Sequence, residues 1–260
     1  METAVFSFIL TNDTIQGMKR ASFNPLRLLS PLKQDKPASQ PASETDLPPP
    51  LALLRRWQAA RLAQTHADLL TNPRFAPACR FFLNDIYAPR DFSRRDHDIE
   101  HLYQTLEGIM PPRMRQVLEE VVELNALTTT LDAALVTVLM NELGITDTLT
   151  AADYTRAYRL CDNFAVRTRQ IDLLIAVGYG VDRLVRFPFI RTALRLAHTP
   201  AHLAGWGDVQ DFFEGGFAAF KQMKGAADFL GIVEERERQF LDEIFAGSEN
   251  PFGFEPEINM

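Results

Sequence analysis

Apolar side chains recur along most of this chain at intervals of three and four, the spacing of a helix that buries one face. Leu51, Leu54, Trp57, Leu62, Leu69 and Leu70 trace such a stripe, with Arg61 and His66 along it, and predict a helix ending near Thr71. Asn72-Pro73 stops it and is suited to open a second, carrying Cys79, Phe81, Phe82, Leu83 and Ile86 and ending before Pro89. Ser93, with Asp96 three residues on, reads as a capping box for a helix to about Met110. Pro111-Pro112 opens the longest stretch. No Gly or Pro interrupts 113–143, apolar residues fall at 114, 117, 118, 121, 124, 127, 131, 135, 138 and 139, and Gly144 is placed to end it.

Thr150 caps the next pattern, from Ala151 to about Val177 and on past Gly178 and Gly180 to Val185. Pro188 then starts a short helix to Ala197, and Thr199-Pro200 starts another that breaks at Gly205-Trp206-Gly207. Asp208–Met223 and Ala226–Phe245 complete the series. No alternating β-branched pattern and no fixed repeat interrupts it. The expected fold is all-α, a single bundle of seven to nine helices with two long central ones.

Composition changes this picture at the ends. Seven of the sixteen prolines lie in residues 1–50, among Ser, Gln, Lys and Asp, so this stretch is expected to be a disordered or extended arm. Met18, followed by Lys19 and Arg20, is an alternative start that would leave residues 1–17 outside the native protein. The helical domain is expected over 51–247, with a Pro/Gly-rich acidic tail, 248–260, that frays.

Net charge is −7 and the acidic and basic residues are interspersed, which argues against a phosphate-binding face and a nucleic-acid partner. Cys79 and Cys161 stand far apart without ligand-type neighbours, so a reducing cytoplasm is the expected setting. No apolar run approaches the ~20 residues of a bilayer span, and Val5–Leu10 lacks the flanks of an export signal. No membrane association is expected.

Two runs are similar to stretches of known sequence. Phe81-Phe82-Leu83-Asn84-Asp85-Ile86-Tyr87-Ala88-Pro89-Arg90-Asp91-Phe92-Ser93-Arg94-Arg95-Asp96, and Pro200-Ala201 through Phe212-Phe213-Glu214-Gly215-Gly216-Phe217-Ala218-Ala219-Phe220, resemble those of a family of uncharacterised bacterial all-helical proteins. The resemblance spans about 55–245 and implies one helical domain of bacterial origin. It implies no activity, cofactor or catalytic residue.

Candidate chemistry falls in five places. His97-Asp98-Ile99-Glu100-His101 fits the inverted zinc-protease pattern, with His97 and His101 one turn apart and Glu100 beside them. The third ligand, a downstream Glu, is missing between Glu142 and Glu214, and a solvated helix face accounts for the motif better. His198 and His202 have the same spacing, but Pro200 puts their register in doubt. Asp85, Tyr87, Asp91, Arg95 and Asp96 gather acids, a phenol and a guanidinium within a dozen residues. They form either an acid–base pair or, the favoured reading, an ion-pair network that locks the loop to the core.

The long helix holds the fourth. Its apolar stripe is interrupted by Asn125, Thr128, Thr129 and Asp132, and the following helix carries Arg167, Thr168, Gln170 and Asp172 at a comparable height. If the two lie antiparallel, Asp132 meets Arg167 or Gln170. The polar layer either sets helix register, the favoured reading, or lines a ligand pocket. Finally, Gly215-Gly216 cost roughly 2 kcal/mol of helix propensity and imply a close neighbour, a kink or room for a ligand, with Glu214 facing solvent or an Arg. The leading functional reading is a non-enzymatic module that binds a protein partner or self-associates. The alternative is a helical-bundle enzyme or small-ligand binder built on the internal polar layer, with or without a metal at His97/His101. No cofactor is assigned.

Overall fold

The computed structural model describes residues 47–256 except Glu107 and Ile109. The expectations for the arm through residue 46, its alternative start and the last four residues therefore fall outside the described chain. Within it the fold is all-α, with no strand among the described residues. The helices are α1 (Pro49–Thr65), α2 (Ala67–Thr71), α3 (Ala76–Phe81), α4 (Ser93–Leu106), α5 (Pro112–Asn141), α6 (Ala151–Leu160), α7 (Phe164–Leu184), α8 (Pro188–Leu203), α9 (Gly207–Met223) and α10 (Ala227–Phe245).

Several boundaries differ from those the periodicity predicts, each for a local reason. The first helix breaks at His66, and the carbonyl of Thr65 accepts from Arg236 Nη1 of α10 at 2.9 Å instead of continuing the ladder. The second widens after Phe81 into a π-turn, Phe82–Ile86, closed by the Tyr87 amide on the Phe82 carbonyl at 2.9 Å. The pattern expected from 151 to 185 splits at Asp162, whose φ of 45° is left-handed. Asp and Asn tolerate that region and favour caps, so Cys161-Asp162-Asn163 forms the joint between α6 and α7. In contrast α8 runs straight through Pro200.

Other signals act as their chemistry dictates. Thr150 and Asp153 form a reciprocal capping box on α6. Gly144, at φ 66°, follows the end of α5, where the amides of Leu143 and Ile145 turn back onto the carbonyls of Val138 and Leu139. Ser93 and Asp96 do not form the expected box. Asp91 Oδ1 accepts from the Ser93 amide at 2.9 Å, and Asp96 pairs with Arg95.

The long helices α5 and α7 form the centre, with α1, α4 and α6 also on α5 and with α9 and α10 on α7. Glycines set the depth of this packing. A Cβ on Gly178 would stand 2.5 Å from Leu230 Cδ2, and one on Gly180 would stand 2.5 Å from Val117 Cγ2. Gly215 and Gly216 resolve in favour of close approach, since a Cβ on Gly216 would lie 3.0 Å from the Phe81 ring. By length and composition α5 would pass as a bilayer span, with mean hydropathy 1.3 over an 18-residue window, contrary to the expectation that no run comes near it. Helices α1, α4, α6 and α7 pack against it, and 22% of that window is buried by them.

The buried apolar residues fall into three clusters. One joins α1, α5, α6 and α10 around Trp57, which is 0% exposed and stacks on Tyr154 at 4.0 Å between centroids. A second joins α2, α3, α7, α9 and α10 around Phe220, Met223 and Phe229. A smaller one holds Ile99, Leu118, Trp206 and Val209. The segment after α10, expected to fray, packs as far as Pro256. Phe252 is only 8% exposed, lies 5.6 Å from the Trp57 ring, and Glu255 accepts from the Ala151 amide at 2.9 Å. Aromatic burial outweighs the entropy that the Pro/Gly composition suggested.

Candidate functional site

The three clusters line a cavity of about 1740 Å³, partly open to solvent, to which every helix contributes lining residues. Most of its wall is Leu, Ile, Val, Phe and Met. The polar interruption of α5 is where this cavity lies: Asn125, Thr128, Thr129 and Asp132 face it, with Arg167 and Gln170 from α7 opposite. The stripe turns polar here because this face meets polar side chains of α1 and α7 across the cavity wall.

The polar groups at this end are organised around three guanidinium groups. Arg61, from α1, donates to Glu237 Oε1 of α10 at 2.5 Å, and His66 Nε2 lies 3.5 Å from the same oxygen. Burial works against ionisation of Glu237, but the Arg61 charge and the contacts of His66 and Arg61 prevail and hold its carboxyl at about 2. Asp132, 4% exposed, accepts from Gln58 Nε2 at 3.2 Å, with Arg55 Nε at 3.7 Å. Burial pushes its carboxyl above the ordinary range, and Gln58, Arg55 and Arg167 only partly offset this.

Arg167 is the exception in the group. It is 3% exposed, yet its partners are the neutral Gln170 Oε1 (3.2 Å) and Leu131 carbonyl (3.4 Å), and the Tyr158 ring lies 4.3 Å from its guanidinium carbon. Among the described residues no carboxylate lies within ion-pair distance of it, and its Nε has no hydrogen-bond acceptor, as is also true of Arg61 Nε. The expected meeting of Asp132 with Arg167 or Gln170 therefore takes another form. Asp132 bonds to α1, which periodicity had not brought to this place, while Gln170 donates to Thr128 at 2.8 Å. With Glu237 paired to Arg61 and Asp132 nearest to Arg55, Arg167 has no ion pair of its own at this end of the cavity and acts on Asp132 only at longer range.

Comparison with known proteins places the chain. A family model described as a domain of unknown function (DUF8198) matches residues 38–251, which takes in α1 through α10 and both stretches on which the resemblance rests. The chain belongs to this family. No curated protein and no solved structure matches it.

The remaining predicted residues of this DUF8198 domain divide between loop anchoring and surface. Arg95 lies between the Phe92 and Phe212 rings, 4.1 and 4.4 Å from their centroids, and donates to the Asp85 carbonyl and to Asp96 Oδ1. It thereby ties the π-turn, α4 and α9 together. Burial raises the carboxyls of Asp85 and Asp96 against the pull of Arg95. Tyr87 stands apart from these acids. It faces the cavity, where burial, with Glu237 nearby, raises its phenol. His97 is exposed and His101 stacks on Trp206 at 5.9 Å, and among the described residues the pair gathers no third metal-ligating side chain. Glu214 meets neither solvent alone nor an Arg: it accepts from Gln210 Nε2 at 2.8 Å and faces His198. Both cysteines are free, and burial pushes the Cys79 thiol up to about 11, away from reactivity.

Sequence reasoning missed Arg55, Gln58, Arg61, His66 and Glu237. The available signal was Arg61 and His66 on an otherwise apolar stripe, where a polar residue implies a buried partner.

Proposed function

We propose that this chain is a non-enzymatic binding protein whose ligand is a small amphipathic anion, a carboxylate on a long hydrocarbon chain, held inside the bundle. The observation that carries this reading is Arg167, a buried guanidinium on the wall of a large apolar cavity with an unused Nε donor. A buried cation is expensive unless paired, and a ligand carboxylate would supply the acceptor that the chain does not. The cavity, about 1740 Å³ in all and mostly apolar, exceeds the roughly 300–1,000 Å³ of common ligand pockets and suits a lipid-sized tail. The alternative of a partner-docking or self-assembly module draws less support, because Arg167 and the apolar volume both face the cavity rather than the outer surface. Two free cysteines and a net charge of −7 support a cytoplasmic protein without a nucleic-acid partner.

Displacement of a fluorescent fatty acid by oleate, oleyl alcohol or oleylamine tests this. A charge-assisted hydrogen bond of ~1.5–3 kcal/mol gives oleate an advantage of about 10–100-fold over the alcohol, and Arg167→Met should remove that advantage while leaving alcohol binding in place. Equal binding of the amine, or no binding of oleate at all, would overturn the reading.

A further inference from the structure

Away from the cavity, α8 and α9 bring together a second set of groups. The helical continuity of α8 through Pro200 puts His198 and His202 one turn apart on the same face, with ring centroids 4.5 Å from each other. Asp211 and Glu214, also one turn apart, meet them from α9. His202 Nε2 lies 2.9 Å from Asp211 Oδ1, and His198 Nδ1 lies 3.2 Å from both oxygens of Glu214. One donor atom each of His198, His202 and Asp211 fall within 4.8 Å of one another, and this is the one such His/Cys/Asp/Glu gathering among the described residues.

We propose that His198, His202, Asp211 and Glu214 form a binding site for a divalent transition metal of the zinc type, which clamps α8 to α9. Imidazole and carboxylate are the donors such ions take, with bonds of about 2.1 Å, and in a tetrahedron those bonds set donor separations of roughly 3.4 Å. The two His–carboxylate pairs already stand close to that separation, so a metal replaces the shared proton with a small outward shift of exposed side chains. Two further features hold the donors in place. Gln210, buried, orients Glu214 through its 2.8 Å bond while donating also to the Leu194 carbonyl at 2.8 Å, the arrangement by which outer groups steer metal ligands. Gly207 makes room for the His202 ring, since a Cβ there would stand 2.7 Å from Nδ1.

Zinc titration of the full chain by calorimetry, with Co²⁺ absorption as a second readout, decides the matter. The expected result is one zinc per chain, intense tetrahedral Co²⁺ bands in the visible, and a thermal midpoint that climbs with zinc concentration. His198→Ala/His202→Ala should weaken zinc binding by more than the ~100-fold that loss of an outer-sphere group costs, and Asp211→Asn should also weaken it. His97→Ala/His101→Ala should leave it unchanged. Failure of the wild type to bind zinc at tens of micromolar, or zinc binding that survives His198→Ala/His202→Ala, overturns the proposal. Because the wild-type Co²⁺ spectrum stands alone, poor folding of a variant would not rescue it.

Discussion

Glu237→Gln isolates the ion pair at the polar end of the cavity. The carboxyl is held at about 2 against an ordinary 4.5, despite burial, by the Arg61 guanidinium and by His66. A depression of that size corresponds to roughly 3 kcal/mol of stability at neutral pH. An independent route gives a similar figure: removing one partner of a buried pair costs about 3–5 kcal/mol, because the other charge is left without compensation. Here the stranded group would be Arg61, 9% exposed and already lacking an acceptor for its Nε. The sign of the pH dependence follows from the lowered value. The stabilisation is fully present above about 4.5 and is lost as pH falls toward 2, so the difference between wild type and Glu237→Gln should shrink across that interval. Urea unfolding followed by circular dichroism at several pH values measures it. An Arg61→Met/Glu237→Leu double variant should recover most of the loss at pH 7, since apolar replacements of a buried pair are often neutral. A loss under about 1 kcal/mol at pH 7 for Glu237→Gln, or a gap that does not narrow in acid, would refute the reasoning.

Asp132 has a raised carboxyl, so its contribution to stability is fully present below the ordinary carboxylate value and declines as pH rises through the raised one. Asp132→Asn should therefore become relatively more stable than wild type as pH climbs above about 4, and denaturant midpoints that track each other would count against this. Gly180→Ala drives a methyl to within 2.5 Å of Val117 and should cost about 1–3 kcal/mol. Gly231→Ala, at an exposed position of α10, meets nothing within 4 Å and should gain about 0.5–1 kcal/mol, so equal thermal midpoints would contradict the contrast. Phe252→Ala should cost about 3–5 kcal/mol if the segment after α10 belongs to the core, and a loss below ~1 kcal/mol would return it to the status of a tail.

The helical class, the long central helix, and the start and end signals at Thr150, Pro112 and Gly144 were legible in sequence because each depends on a neighbour within four residues. The polar break at Asn125–Asp132 was legible for the same reason, since a period of 3.6 exposes any departure from it. What that break meant was not. Whether Asp132 faces Arg167 or Gln58 depends on how α1 docks, and α1 is separated from α5 by a long stretch of chain whose path no local spacing encodes. The joint at Asp162 was missed because a single left-handed residue costs little in Asp and leaves the apolar stripe intact on both sides. Pro200 misled in the other direction: proline disfavours a helix locally, yet packing of α8 on α9 keeps it helical and so brings His198 and His202 into register. Phe252 and Glu255 close a part of the core that composition assigned to a tail. Period and caps thus determined the helices by local sterics and hydrogen bonding. Packing across long separations decided which polar faces share one cavity and which His and acid meet at the surface.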